Sequence, residues 1–303
     1  MGLRTVLGFR KKPKPAENKA TAHQYDSVSL ESLLALRTAH WWRDPAAPDE
    51  VKAVASLVSS KRTMRRYIAA MGIRLPRLYY DAACFDEIDF GSLPDRVVIK
   101  PDGGWDSDAV MLFDGNRELL SGKAVSQDQR AAFCRETLNK ARFVKPDSRL
   151  LVEEFVKDCD ERFAIPRDFK VYVAGGHAHV VQVIDRNPTK EQRNSSFYTP
   201  HWARIEDRFQ TYYKSGPDVV KPGALPAVID NAERIAKNIG AFLRLDFYVD
   251  AEGPVFGEFT SHPFAGLNYT PYGERYLIDL MHRFPDSIPP GWSIERAAPT
   301  GVI

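Results

Sequence analysis

Two carboxylates twelve residues apart give the strongest chemical signal in the chain. Asp246 lies in the apolar run Leu243-Arg244-Leu245-Asp246-Phe247-Tyr248-Val249, and Glu258 in Val255-Phe256-Gly257-Glu258-Phe259-Thr260. The stretch between, Asp250-Ala251-Glu252-Gly253-Pro254, has turn composition, so the pattern predicts a hairpin with the two acids side by side on one face. Facing carboxylates repel, and burial makes their ionisation costlier still. A hard cation such as Mg²⁺, which takes oxygen ligands and bridges to phosphate, resolves both problems. Two ordinary acids on a surface hairpin give the same pattern, so other residues must decide.

Two further stretches could serve a phosphorylated ligand. Lys100 closes the apolar strand Arg96-Val97-Val98-Ile99-Lys100 and precedes the loop Pro101-Asp102-Gly103-Gly104-Trp105-Asp106-Ser107-Asp108. Glycines let backbone amides approach a phosphate and a lysine adds a point charge. The loop lacks the G-x-x-x-x-G-K-[ST] pattern, and its three aspartates suit phosphate only if they point away. Leu150-Leu151-Val152-Glu153-Glu154-Phe155-Val156 runs apolar, acidic, apolar. A strand leaving a sheet there exposes backbone groups that can read an adenine edge, with apolar side chains to sandwich the ring.

The elements that must position these residues are mixed. Periodicity predicts helices over 29–43 and 49–71, the first capped by Ser29 and the second stopped by Gly72. Strands follow at 96–100 and 109–113, then a helix near 125–142 and a strand at 149–153. A hairpin over 168–174 and 177–185 turns at Gly175-Gly176, and helices are expected over 225–240 and 272–284. Hairpins without strict strand–helix alternation argue for α+β lobes.

Composition sets the outer limits. With 303 residues, 44% of them hydrophobic, the chain can bury two modest lobes. The net charge of +2 gives no reason to expect a nucleic-acid partner. Basic residues cluster near the start (Arg4, Arg10, Lys11, Lys12, Lys14 and Lys19), so residues 1–25 read as a disordered basic tail. No apolar run is long enough for an integral membrane segment. Three cysteines without a C-x-x-C pair fit a reducing, cytoplasmic setting.

Taken in order, these segments resemble the ATP-grasp superfamily. Ser60-Lys61-Arg62-Thr63-Met64-Arg65-Arg66 is similar to its first lysine segment, and Val98-Ile99-Lys100-Pro101 to its second. Val152-Glu153-Glu154-Phe155-Val156 resembles its hinge, while Arg244-Leu245-Asp246 and Gly257-Glu258-Phe259-Thr260 resemble its metal-binding end. Ile165-Pro166-Arg167-Asp168-Phe169-Lys170-Val171-Tyr172, Asp185-Arg186 and Phe256 to Pro263 are similar to the branch associated with teichuronopeptide biosynthesis. The resemblance covers roughly residues 55–270.

It implies an ATP-grasp fold of two α+β lobes holding ATP between them. An N-terminal helical region over 26–92 would precede a small lobe over 93–155 and a large lobe over 156–303. It implies that Lys61 and Lys100 contact phosphate, and that Glu153 with the backbone of Glu154, Phe155 and Val156 holds adenine. Asp168 would bind the ribose, with Glu161 as its rival. Asp246, Glu258 and Thr260 would bind Mg²⁺; many relatives carry Asn where Thr260 stands, and a hydroxyl is a weaker ligand. Arg244 would stabilise the transferred phosphoryl group, and Lys170, Arg186 and His262 would face substrate. The implied activity is ligation of a carboxylate to an amine through an acyl phosphate, on saccharide, peptide or other small molecules and alongside polysaccharide-biosynthesis machinery. The competing readings are a kinase of a sugar or polyol hydroxyl and a nucleotide-binding scaffold without chemistry. Ser195, Ser196, Tyr198 and His201 either line a pocket or decorate a loop.

Overall fold

Alternating burial builds two separate sheets, as seen in a computed structural model that describes residues 28–104 and 108–297. The tail expected over 1–25 and the loop tip at 105–107 lie outside the described residues. In the smaller sheet the order is β1 (Leu78–Ala82), β5 (Leu150–Glu154), β2 (Arg96–Pro101), β3 (Met111–Asp114), β4 (Arg117–Glu118), with each neighbouring pair antiparallel. Val97 and Ile99 point into a core with Met111, Phe113, Val152 and, from helix α4 (Arg130–Asn139), Cys134 and Leu138. The alternate residues of β2, including Lys100, take the other face.

The larger sheet runs β11 (Gly253–Thr260), β10 (Leu243–Asp250), β6 (Asp168–Ala174), β7 (His177–Asp185), β8 (Asn194–Tyr198), β9 (Lys214–Ser215). Phe169, Val171 and Val173 join Leu243, Leu245, Phe247 and Val249 on one face. They pack on helix α5 (Leu225–Ile239) through Val228, Ala232, Ile235 and Ile239. Each such buried side chain contributes roughly 1.5–3 kcal/mol. Gly240, at φ +71°, lets α5 stop in the left-handed conformation. The opposite face carries Asp168, Lys170, Arg244 and Asp246. Its far end, at Tyr172 and Phe197, is covered by helices α1 (Leu30–Thr38) and α6 (Pro271–Arg283) through Leu30, Leu34, Leu277 and Ile278.

Three elements differ from the sequence reading. The single helix expected over 49–71 is two helices, α2 (Asp49–Ser59) and α3 (Lys61–Ala70). Ser60 is extended between them (φ −119°, ψ 119°), and its hydroxyl accepts the Thr63 amide at 3.1 Å, capping α3. β1 adds to the small sheet from within the stretch 26–92 read as helical; its Leu-Tyr-Tyr-Asp-Ala sequence alternates too briefly to stand out. β8 and β9 arise in 187–215, where no strand was expected.

Candidate nucleotide and metal site

The hairpin register sets Asp246 opposite Glu258, but only through an irregularity. Between Asp250↔Gly253 and Phe247↔Phe256 the strands pair regularly; the register then shifts, so that Asp246 faces Glu258. Regular pairing would have put Glu258 opposite Leu245, whose side chain points into the core. The extra residue is Gly257, and an added Cβ there would meet Asp246 O and Tyr248 Cε2 at 3.2 Å.

The row continues across the sheet: Asp246 stands opposite Lys170 on β6, and Lys170 opposite Gln182 on β7. Lys170 Nζ bonds Asp246 and lies 3.7 Å from Asp168. Arg244 Nε donates to Asp246 Oδ1 at 2.8 Å, and its Nη2 donates to Thr260 Oγ1 at 2.9 Å. Arg186 Nε donates to Asp168 Oδ2 at 2.6 Å. Burial alone would push the Asp246 carboxyl up, but Arg244 and Lys170 outweigh it and hold that carboxyl below its ordinary range.

The other wall comes from α3 and the small sheet. Lys61, in the first turn of α3, points its ammonium at the carbonyls of Asp102 and Gly103, at 3.4 and 3.2 Å. Burial lowers its pKa, with Glu258 the leading opposing influence. The two residues line one narrow cleft with Ser60, Met64, Gly104 and Phe259. Two of the loop's three aspartates already accept hydrogen bonds from the protein. Asp102 accepts from Arg62 N (2.7 Å) and Ser60 Oγ (3.2 Å), and Asp108 from the amides of Arg142 (2.8 Å) and Phe143 (2.7 Å). Asp106 lies outside the described residues.

Glu153 is 2% exposed and holds two cations, Lys100 Nζ and Arg65 Nη1, each at 2.6 Å. One carboxylate oxygen meets each cation, so the side chain is the counter-ion of both. The Glu154 amide donates to Arg77 O at 2.8 Å, and Phe155 is buried beneath the Arg96 guanidinium at 4.7 Å. Val156 is buried beside it, and Glu161 is exposed.

His262 is not brought into the cluster. Its Nε2 faces Leu34 O and Thr38 Oγ1, both at 3.1 Å, and Nδ1 faces Ser261 Oγ at 2.9 Å. Burial, with Arg37 nearby, pulls its pKa down to about 4. A neutral ring donating from Nε2 to the helix carbonyl ties the end of β11 to α1. Arg37 reinforces that tie through Phe242 O (2.9 Å) and Ser261 O (3.0 Å).

The donor set fits Mg²⁺. Among the described residues no three of His, Cys, Asp and Glu form a protein-only metal cage. Two carboxylates are enough for an ion that keeps waters and substrate phosphates as its other ligands. Thr260 is a weaker third position, because its oxygen already accepts from Arg244.

Sequence reasoning passed over Arg65, Gln182 and Gln210. Arg65 had one available signal: it lies one turn after Lys61, on the same helix face.

Two sheets, with Lys61 and Glu258 lining one cleft and Asp246 opposite Glu258 in the hairpin, fit an ATP-grasp protein. The chain belongs to the TupA-like ATP-grasp family, whose model matches residues 47–275. Among solved structures it is similar to D-alanine–D-alanine ligase from Helicobacter pylori, at 13% identity and TM-score 0.47, covering 78% of this chain and 62% of that one. It is also similar to the L-amino acid ligase from Bacillus licheniformis (12%, TM-score 0.44, 78% and 52%). A RimK-domain ATP-grasp protein from Sphaerobacter thermophilus gives 15%, TM-score 0.41, and 68% and 59%. The chain therefore spans between about half and two thirds of the length of these three structures. A search of curated proteins found no match.

Proposed function

We propose that the protein is an ATP-dependent carboxylate–amine ligase working through an acyl phosphate. The row Glu258–Asp246–Lys170, whose Glu258 lines one cleft with Lys61, carries this reading. Lys61 and Lys100 hold the ATP phosphates, and the chain at Glu154 to Val156 lies against adenine. Asp246 and Glu258 are the ligands for Mg²⁺, which, when bound, neutralises phosphate charge as the γ-phosphoryl group moves. Arg244, aligned by Asp246, stabilises that group, and Lys170 and Arg186 hold the acid substrate. Asp168 keeps those two cations in place, its carboxylate lying 2.6 Å from Arg186 and 3.7 Å from Lys170. The incoming amine then displaces phosphate from the acyl carbon, and positioning rather than a protein nucleophile supplies the rate. The setting that fits is cytoplasmic assembly of a saccharide or peptide conjugate.

The test is binding of a non-hydrolysable ATP analogue with and without Mg²⁺, to wild type and to Glu258→Gln, followed by ADP release with and without amines. Mg²⁺-dependent binding, at least about tenfold weaker in the variant, together with amine-dependent ADP release, is expected. Lack of binding at millimolar analogue refutes the reading, and ADP release that needs no amine makes the protein a kinase.

A further inference from the structure

The large lobe holds a second concavity, open to solvent, between β8 and the loop from Arg204 to Ser215. Gln210 lines it and is itself 2% exposed. Its Oε1 accepts from Gln182 Nε2 at 2.7 Å, while its own Nε2 has no partner among the described residues. Gln182 stands opposite Lys170 in the sheet, so Gln210 is bonded to the strand neighbour of the residue that holds Asp246.

A buried donor left unmade costs about 1–3 kcal/mol. One in the wall of this cavity, Gln210 Nε2, points to a ligand that brings an acceptor to it. In the rest of the wall Ser195 offers a hydroxyl, and the charged residues are Arg204, Arg208 and Lys214 against Glu206 and Asp207, a net charge of +1 (3 − 2). Arg208 fastens the loop by donating to Gln210 O at 3.0 Å.

We propose that this cavity is the acid subsite, taking an organic acid that carries further hydroxyl or carbonyl oxygens. Those oxygens accept from Gln210, Ser195 and Tyr213, Lys214 balances the negative charge, and the carboxylate end is directed toward Lys170. The net positive charge of the wall, with its unpartnered Gln210 donor, disfavours a cationic amine. The assignment of the acid to this subsite rests on the ligase reading; the preference for acceptor-rich anions does not.

Three open-chain, six-carbon probes share a hydroxyl-bearing frame and differ in end-group charge: gluconate, sorbitol and glucamine. Calorimetric titration of the full chain, with the Mg²⁺–ATP analogue present, is expected to give gluconate at least about tenfold tighter than sorbitol, with glucamine weakest. Gln210→Leu and Lys214→Glu should each weaken gluconate about tenfold, roughly 1.4 kcal/mol, and leave analogue affinity within about twofold. Lys214 is exposed, so its variant keeps the fold even if Gln210→Leu does not. Equal affinity for all three probes, preference for glucamine, or no gluconate binding at tens of millimolar overturns the proposal. So does unchanged gluconate affinity in both variants. If the analogue fails to bind wild type, the ligase reading falls by itself, and the order of the three probes still decides the chemistry of the cavity.

Discussion

Replacing Glu153 by glutamine separates two roles for this residue. In the structure the carboxylate joins Arg65 of α3 to Lys100 of β2 with two contacts of 2.6 Å and almost no solvent. Glutamine keeps the shape and one acceptor, so one of the two contacts survives as a neutral–cation hydrogen bond. At the other, an amide N–H₂ opposes a cation, donor against donor. Lys61, whose charge is coupled to both Lys100 and Glu153, then faces a cluster with one negative charge fewer. Breaking a buried ion pair by removing one partner costs about 3–5 kcal/mol. The surviving bond places this case near the lower figure, a fall in melting temperature of roughly 6–10 °C. Urea unfolding followed by tryptophan fluorescence measures the loss. Competition between ATP and GTP analogues measures base reading. The counter-ion role predicts weaker binding of both analogues with their ratio unchanged. A loss under about 1 kcal/mol together with a shifted ATP/GTP ratio refutes it and makes Glu153 an adenine contact.

Two further outcomes follow from the same geometry. His262 is neutral when folded, and its pKa of about 4 lies below the ordinary 6.5. Between those values the unfolded chain takes up a proton that the folded protein refuses, so stability falls as pH drops through that window. His262→Gln should flatten that part of a pH-stability profile, and an unchanged slope would mean the ring titrates freely. Lys170→Met removes one of the two cations holding Asp246, so unfolding free energy should fall by about 2–4 kcal/mol. Apo protein should nonetheless bind Mn²⁺ several-fold more tightly, as read by its paramagnetic resonance signal. Weaker Mn²⁺ binding would show that the lysine supports the metal position instead of competing for it.

Much of the frame was legible because it rests on local periodicity. The apolar run in Arg96–Lys100, the Gly175-Gly176 turn and the helix ending at Gly240 each follow from their own few residues. Ser60 did not stand out because a helix break needs no change of composition. One hydroxyl capping Thr63 N is enough, and it turns a continuous pattern into two helices with Lys61 at the cleft. The ion pairs of Glu153 were hidden for another reason. They join residues 88 and 53 positions apart, and nothing in either segment names the partner.

The opposed carboxylates are the instructive case. A spacing of twelve with a turn in the middle predicts side-by-side strands, but regular pairing puts the two acids on opposite faces. Counting outward from Asp250↔Gly253, Glu258 meets Leu245 and would enter the apolar core, where an unpaired carboxylate is costly. One extra residue on β11 corrects the parity, and only a residue with little side chain fits where Asp246 O and Tyr248 crowd the strand. The signal was present in the sequence as Gly257, directly before the glutamate in a run otherwise suited to a strand. A glycine there weakens the strand and supplies nothing to the core, so its value lies in the bulge. The pairing of the two candidate metal ligands therefore depends on a residue that carries no chemistry of its own.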